Sequence, residues 1–325
     1  MQSGASSGST PVLVAGSNTM IGAALVRRFR GDGYAVVGAD RQPDWADAAA
    51  VETFFGDVRP DQVVVAAGRT GGIAVNQRCP ADLMLDNLLV AAHIVPAAFR
   101  HGVRKLLYLT SSCTYPRDAA QPFTADALWT GPVEPTSAAY ATAKLAGVRL
   151  CEAYRQQYGV SFFSAVVADA FGPGDDFSAD GSGHVVSALM ARMHAAALAG
   201  TPTVTIWGSG TPRREFLYVD DLADAVAFIM RHYDAEQPIN IGTGVTTAIR
   251  ELAELLGEIV GFRGELAFDT SRPDGAAVKW LDSAPLRALG WTPSWDLRRA
   301  LQSTYEWYLA QQAARQAISS TGLER

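Results

Sequence analysis

Cysteine is scarce. The 325 residues hold three, Cys79, Cys113 and Cys151, an odd set without metal-ligand spacing, so neither a disulfide framework nor a metal site is indicated and a reducing cytoplasm fits best. Positive charge is short as well: 27 Lys and Arg stand against 33 Asp and Glu, a net charge of -6, which leaves no basic face to grip nucleic acid or an acidic membrane surface. Neither is expected as a partner. Long apolar runs are missing too, none reaching the roughly 20 residues needed to cross a bilayer. The opening MQSGASSGST lacks the basic start and apolar centre of a secretion signal, and residues 1–10 read as a disordered lead-in. There are no internal repeats.

What is plentiful is the short, continuously apolar run. PVLVAG at 11–16, YAVVGAD at 34–40, QVVVAAG at 62–68, KLLYLTSS at 105–112 and SFFSAVVADAF at 161–171 alternate with helical stretches, as strands covered on both faces must. This predicts an α/β fold, a doubly wound parallel (Rossmann) sheet. Ligands gather at the carboxyl ends of such strands, where Gly16, Asp40, Gly68 and Ser111 fall. After Gly172 the pattern changes to that of a smaller C-terminal α/β substrate cap. The expected division is a dinucleotide-binding domain over 11–172 with 215–245 returning to it through a helix opened by Asp220 or Asp221, a substrate domain over 173–214 and 246–312, and a frayed tail over 313–325.

PVLVAGSNTMIG places a strand-to-helix turn where a pyrophosphate can rest on a helix N-terminus. Gly16, Thr19 and Gly22 hold the three positions usually given to glycine, and a β-branched Thr19 predicts a cofactor backbone held slightly away or a shifted turn. With Asn18, Met20 and Ile21 of the same loop, Ala67 and Gly68 after the third strand, and Val167 and Asp169 after the fifth, they form the expected cofactor surface. Asp40 closes the second strand, where an acid can bond the ribose hydroxyls of NAD and repel the 2'-phosphate of NADP. Arg41 beside it can instead pair with that phosphate, and a solvated Asp-Arg pair is the plainer alternative.

Tyr140 and Lys144 stand one helical turn apart, about thirty residues after Ser111. An ammonium there is expected to lower the phenol's pKa from about 10, and a serine at a strand end can hold the same substrate oxygen. Together these make a Ser-Tyr-Lys device that moves a proton alongside a hydride.

Taken with SSCTYP at 111–116, EPTSAAYATAKLAG at 134–147, FGPGDDF at 171–177, the SGHV around His184, WGSGTPRREFLYVDD at 207–221, INIGTG at 239–244 and RPDG at 272–275, the chain resembles, from about residue 11 to 310, the GDP-L-fucose synthase family of extended short-chain dehydrogenases/reductases. The resemblance implies an NDP-sugar epimerase/reductase, NAD(P)H as cofactor, a GDP-sugar substrate and a homodimer. It further implies that Cys113 and His184 form the acid-base pair that inverts the carbons flanking a ketone, with Tyr140, Lys144 and Ser111 serving the reduction. Arg192, Trp207, Arg214 and Asp274 fall on its nucleotide-sugar positions. On residue type alone Cys113 reads as a small buried hydrophobe and His184 as a capping or surface residue, and a thiol base needs positive charge beside it.

The departures lie on the cofactor side. Asn18 and Asp40 replace two arginines of the family, Thr19 its middle glycine, and Val167-Ala168-Asp169 its Pro-Thr-Asn. NADH use is therefore favoured by Asp40 and NADPH use by the resemblance. Two other readings stay open: a relative acting on another keto sugar, such as a GDP-heptose, with one of the two activities, and a non-catalytic dinucleotide sensor.

Overall fold

A computed structural model describes residues 10–178, 183–272 and 274–320. The lead-in up to residue 9, residues 179–182 of the loop after Gly172, Pro273 of the RPDG motif and the tail from 321 lie outside them.

The first half alternates as its apolar runs predict: β1 (Pro11–Ala15), α1 (Met20–Gly31), β2 (Ala35–Val37), α2 (Ala48–Val58), β3 (Gln62–Val65), α3 (Ile73–Arg78), α4 (Pro80–Arg100), β4 (Lys105–Ser111), α5 (Ala138–Tyr158) and β5 (Ser161–Val167). There follow β6 (Asp169–Phe171), α6 (Val185–Ala199), β7 (Thr203–Trp207), β8 (Arg213–Arg214), β9 (Phe216–Tyr218), α7 (Val219–His232), β10 (Ile239–Ile241), β11 (Thr247–Ala248), α8 (Ile249–Val260), β12 (Glu265–Asp269), β13 (Val278–Lys279), α9 (Ala284–Ala288) and α10 (Leu297–Ser320).

Six strands form one parallel sheet in the order β10-β5-β4-β3-β1-β2. Its middle is dry because the strands are apolar throughout: Val12, Leu13, Val14, Val63, Val64, Leu106 and Leu107 are all fully buried, each side chain contributing about 1.5–3 kcal/mol. Helices α1 and α7 cover one face of the sheet, α2, α4 and α5 the other. The chain winds one way from β1 to β2 and the other way from β3, which opens a crevice at the carboxyl ends of β1 and β3. A third apolar cluster, from α6, β7, β9, α8 and α10, lies beyond β6.

Several expectations need correcting. The second strand stops at Val37, because Gly38 turns the chain at φ +65 and a Cβ there would stand 2.4 Å from the Phe54 ring; Asp40 therefore lies in the following loop. The run at 161–171 breaks at Ala168 into β5, inside the large sheet, and β6, which pairs with β9. Asp220 and Asp221 sit in the first turn of α7 rather than at its cap, which is Tyr218; buried Asp221 instead accepts the Ser294 N–H and hydroxyl and the Trp295 N–H. Helix α10 runs on to Ser320, past the expected fraying point near 312.

By length and composition α4 could cross a bilayer. Its Val90, Ala91, Ile94 and Val95 are instead buried against the sheet, so that apolar face is used within the fold.

Candidate active site

The glycine loop is a tight cradle. Gly16 takes φ +86, and a Cβ on Gly22 would lie 1.9 Å from the Gly16 carbonyl oxygen, so strand and helix approach as glycine alone allows. Thr19 is built into the turn. It is the N-cap of α1, its hydroxyl accepting from Gly22 N at 3.0 Å while donating to the Gly16 carbonyl at 2.8 Å. Asn18 is exposed, Met20 and Ile21 half-buried, and Ala67 buried beside Gly16. A Cβ on Gly68 would meet the side chain of Asn87, which donates to Arg69 and Leu83 carbonyls and so pins the loop after β3.

Beside β2 the structure departs from expectation. The Asp40 side chain is 93% exposed and lies 3.9 Å from Arg30, while Arg41 pairs with Asp57 at 3.5 Å. The residues that tie this loop to the glycine turn are Gln42, which accepts the Gly16 N–H at 2.8 Å, and Ser17, whose hydroxyl donates to the Ala39 carbonyl at 2.7 Å. Sequence reading passed over both, since neither side chain carries charge.

The predicted catalytic residues converge at the carboxyl ends of β4 and β5, with Lys144 set apart. Ser111 ends β4 and its hydroxyl accepts the Cys113 N–H, which starts the short 3-10 turn Ser112–Thr114 and presents the thiol. Tyr140, in the first turn of α5, has the Ser111 and Thr70 hydroxyls beside its phenol. Burial, with a smaller push from Cys113, drives the phenol's pKa up, and those two hydroxyls offset part of the rise. This reverses the expected lowering by Lys144. The lysine lies under α5, its ammonium 4.4 Å from the centre of the Tyr108 ring, in a space that Gly147 leaves for that ring. Burial lowers its own pKa to about 7, because a cation loses hydration there.

Cys113 does have positive charge beside it. Lys279 of β13 directs its ammonium to the thiol sulfur at 3.3 Å. Burial pushes the lysine's pKa down, yet the neighbouring Cys113 and Asp169 outweigh it and hold the ammonium protonated. Lys279 escaped sequence reading because β13 is two residues long, and its trace is a lone lysine in the apolar run AAVKWL. Asp169, in β6, lies 3.5 Å from the Ser112 hydroxyl, and Val167 is buried at the end of β5. His184 stands at the N-cap position of α6 without capping it, 3.3 Å from Asp175 through Nδ1.

A thiol between an ammonium and a phenol is equipped to take a proton from carbon. Replacing Lys279 by methionine keeps its stem and removes the charge, and alkylation of Cys113 by iodoacetamide is expected to slow about five- to tenfold. Mass spectrometry of the Cys113 peptide reads this out, and an unchanged rate would discard Lys279 as the activating group.

The predicted sugar-nucleotide residues lie on and around β7, β8 and β13, with Arg214 close enough to Lys279 to act on its charge. Trp207 ends β7 with 60% of its surface exposed, and the Arg272 guanidinium lies 5.0 Å above its ring. Asp274 accepts the Ser209 N–H and hydroxyl at 2.9 and 2.7 Å, which holds its pKa low. Arg214 donates to the Arg213 and Ala276 carbonyls, and Arg192 to the Thr205 carbonyl. Arg272 is the member sequence reading missed.

Residues 12–242 match the NAD-dependent epimerase/dehydratase family. Over 303 residues the chain is 44% identical to GDP-L-fucose synthase 1 of Arabidopsis thaliana, spanning 93% of this chain and 94% of that one. It is 42% identical over 312 residues to the GDP-L-fucose synthase of Escherichia coli, spanning 93% and 97%. Among solved structures, a GDP-6-OMe-4-keto-L-xylo-heptose reductase from C. jejuni superposes with a TM-score of 0.86 at 30% identity, covering 96% of this chain and 99% of that one. A GDP-L-fucose synthetase from Naegleria fowleri bound to NADP gives 0.84 at 27% identity, covering 94% and 95%. Agreement of this extent, on a fold whose glycine turn and Ser111–Tyr140 contact already suit a dinucleotide and a ketone, places the chain in the NAD-dependent epimerase/dehydratase family of extended short-chain dehydrogenases/reductases.

Proposed function

We propose that the protein converts GDP-4-keto-6-deoxymannose to GDP-L-fucose, inverting the two carbons beside the ketone and then reducing it. The observation that carries this reading is the Lys279–Cys113 contact of 3.3 Å, since reduction alone has no use for an activated thiol next to the phenol. The ketone acidifies its neighbouring C–H bonds; Cys113, as thiolate, takes a proton and leaves an enolate, and His184 returns one to the opposite face. Tyr140 then gives its proton to the oxygen as the ketone is reduced, with Ser111 and Thr70 supporting the phenol.

The glycine turn suits a dinucleotide: its close backbone approach and the N-terminus of α1 are what a pyrophosphate requires. NAD(P)H, when bound there, supplies the hydride. Gly16, Asn18, Thr19, Met20, Ile21 and Gly22 would hold the pyrophosphate side, with Ala67, Gly68, Lys144, Val167 and Asp169 along the rest. Arg192, Trp207, Arg214 and Asp274 would hold the GDP portion, guanidinium on diphosphate and indole against a ring.

Incubation with GDP-4-keto-6-deoxymannose and each reduced nicotinamide, with products identified by mass and NMR, tests the reading. Absence of GDP-L-fucose with both cofactors would overturn it. A GDP-heptose is the second candidate substrate, supported by the 0.86 TM-score to the heptose reductase and by Val167-Ala168-Asp169 in place of the family's Pro-Thr-Asn. A homodimer in the cytoplasm completes the reading; the exposed Leu85 of α4 and Tyr158 of α5 support an interface there.

Cofactor choice turns on the loop after β2. An exposed charge changes binding by about 0–1 kcal/mol, so Asp40→Ala is expected to raise the NADPH-to-NADH ratio of kcat/KM by up to about fivefold. Steady-state kinetics with both cofactors decide it, and an unmoved ratio would show that Asp40 stays on Arg30 and away from the ribose.

A further inference from the structure

Asp175 has no role in the chemistry described so far, yet it is the partner of His184. Its side chain is 5% exposed, and Oδ1 lies 3.3 Å from His184 Nδ1 while accepting the Asp176 N–H at 2.9 Å. The loop that carries it is held from several sides. Asp175 N donates to the Gly172 carbonyl at 3.2 Å, Gly174 packs on Met20 of α1, and a Cβ on Gly183 would stand 2.2 Å from the Asp176 carbonyl oxygen. Carboxylate and imidazole are therefore set against each other by backbone, and α6 makes no use of the imidazole as a cap.

We propose that Asp175 is a positioning residue for the proton-returning half of the epimerisation: its carboxylate accepts the Nδ1 proton of His184, fixes the ring, and leaves Nε2 to deliver a proton to carbon. This rests on the reading of His184 given above. In the step, the Nε2–H bond breaks and a C–H bond forms, the enolate supplying the electron pair for the new bond. The N–H pair returns to the ring, and the neutral imidazole still donates from Nδ1 to the Asp175 carboxylate. A carboxylate-oriented histidine is a general way to hold a tautomer and stabilise an imidazolium.

The charges that act on His184 itself are acidic, and the cations stand behind them. Asp175 lies on its own loop, Asp169 on β6 and Cys113 in the turn after β4, with Lys279 of β13, and Arg214 beyond it, the cations of the cluster. Burial alone drives the proton off the ring. The Asp175 hydrogen bond and charge, then Asp169 and Cys113, outweigh it and raise the pKa above the ordinary 6.5. His184 thus stays protonated to higher pH than a free imidazole, and the basic limb of any rate that needs its proton moves up with it.

Asp175→Asn keeps the size and an acceptor oxygen while removing the charge. The first readout is the histidine NMR titration of the whole protein, with His184 assigned among the five histidines by its loss in His184→Gln. Its midpoint is expected to fall by about one unit, a tenfold change in proton affinity. The second is solvent-deuterium exchange into GDP-4-keto-6-deoxymannose as a function of pH: about tenfold slower at pH 8, within about twofold of the unsubstituted protein at pH 6. An unmoved midpoint and limb, or an equal loss at every pH, would reduce Asp175 to a loop-shaping residue. A shifted midpoint in a protein that shows no exchange even unsubstituted upholds the pairing and overturns the substrate reading instead.

Discussion

Replacing Tyr140 by phenylalanine is expected to cut ketone reduction roughly 100- to 10,000-fold, the range for losing a positioned proton donor, while exchange at the neighbouring carbons continues. The substitution removes one oxygen and nothing else. Ser111 and Thr70, which now stand beside the phenol, can turn to each other or to solvent, so the fold has little to lose. The expected size follows from the phenol's protonation state. Burial and the nearby Cys113 hold Tyr140 in its neutral form, so it is present as an acid at every pH the enzyme meets. Single-turnover measurement of the reduced sugar separates the two steps, since exchange reports on Cys113 and reduction on Tyr140. Full reductase activity in Tyr140→Phe would remove the phenol from the mechanism, and equal loss of both activities would show that it shapes the site rather than reduces.

The large sheet was legible because apolar continuity is a local property: β1, β3, β4 and β5 need no knowledge of their neighbours to be recognised. The same holds for the glycine turn, where strand, turn and helix follow within twelve residues, PVLVAGSNTMIG. What failed was whatever depends on a partner far along the chain. Lys279 reaches Cys113 across 166 positions, and its strand is too short to leave a period. Lys144 has the spacing of a partner for Tyr140, but helical spacing does not decide direction, and the ring of Tyr108 beneath α5 takes its ammonium. Thr19 has a second role that its place in the glycine pattern does not reveal. The threonine serves the helix, whose first N–H groups need an acceptor. Asp40 was placed at a strand end because YAVVGAD is apolar until its last residue; Gly38 turns the chain two residues earlier.

Cys113→Ser is expected to slow deuterium exchange by roughly 100- to 10,000-fold and to leave cofactor binding unchanged. Serine fits the same turn, since the Cys113 N–H still reaches the Ser111 hydroxyl, and the Lys279 ammonium can donate to an oxygen as it does to sulfur. The difference is acidity by type: a thiol is a far stronger acid than an alcohol, so a sulfur anion is accessible to this chemistry where an alkoxide is not. The ammonium that favours a thiolate has nothing to act on in the serine variant. Lys279→Met and Cys113→Ser should therefore be strongly non-additive, the double variant exchanging no more slowly than Cys113→Ser, because two groups that act as one unit cannot be lost twice. Exchange rates of the two single variants and the double, measured on one substrate at one pH, test this directly. Undiminished exchange in Cys113→Ser would return the cysteine to a packing role, and full additivity in the double variant would mean that Lys279 acts on the substrate and not through the thiol.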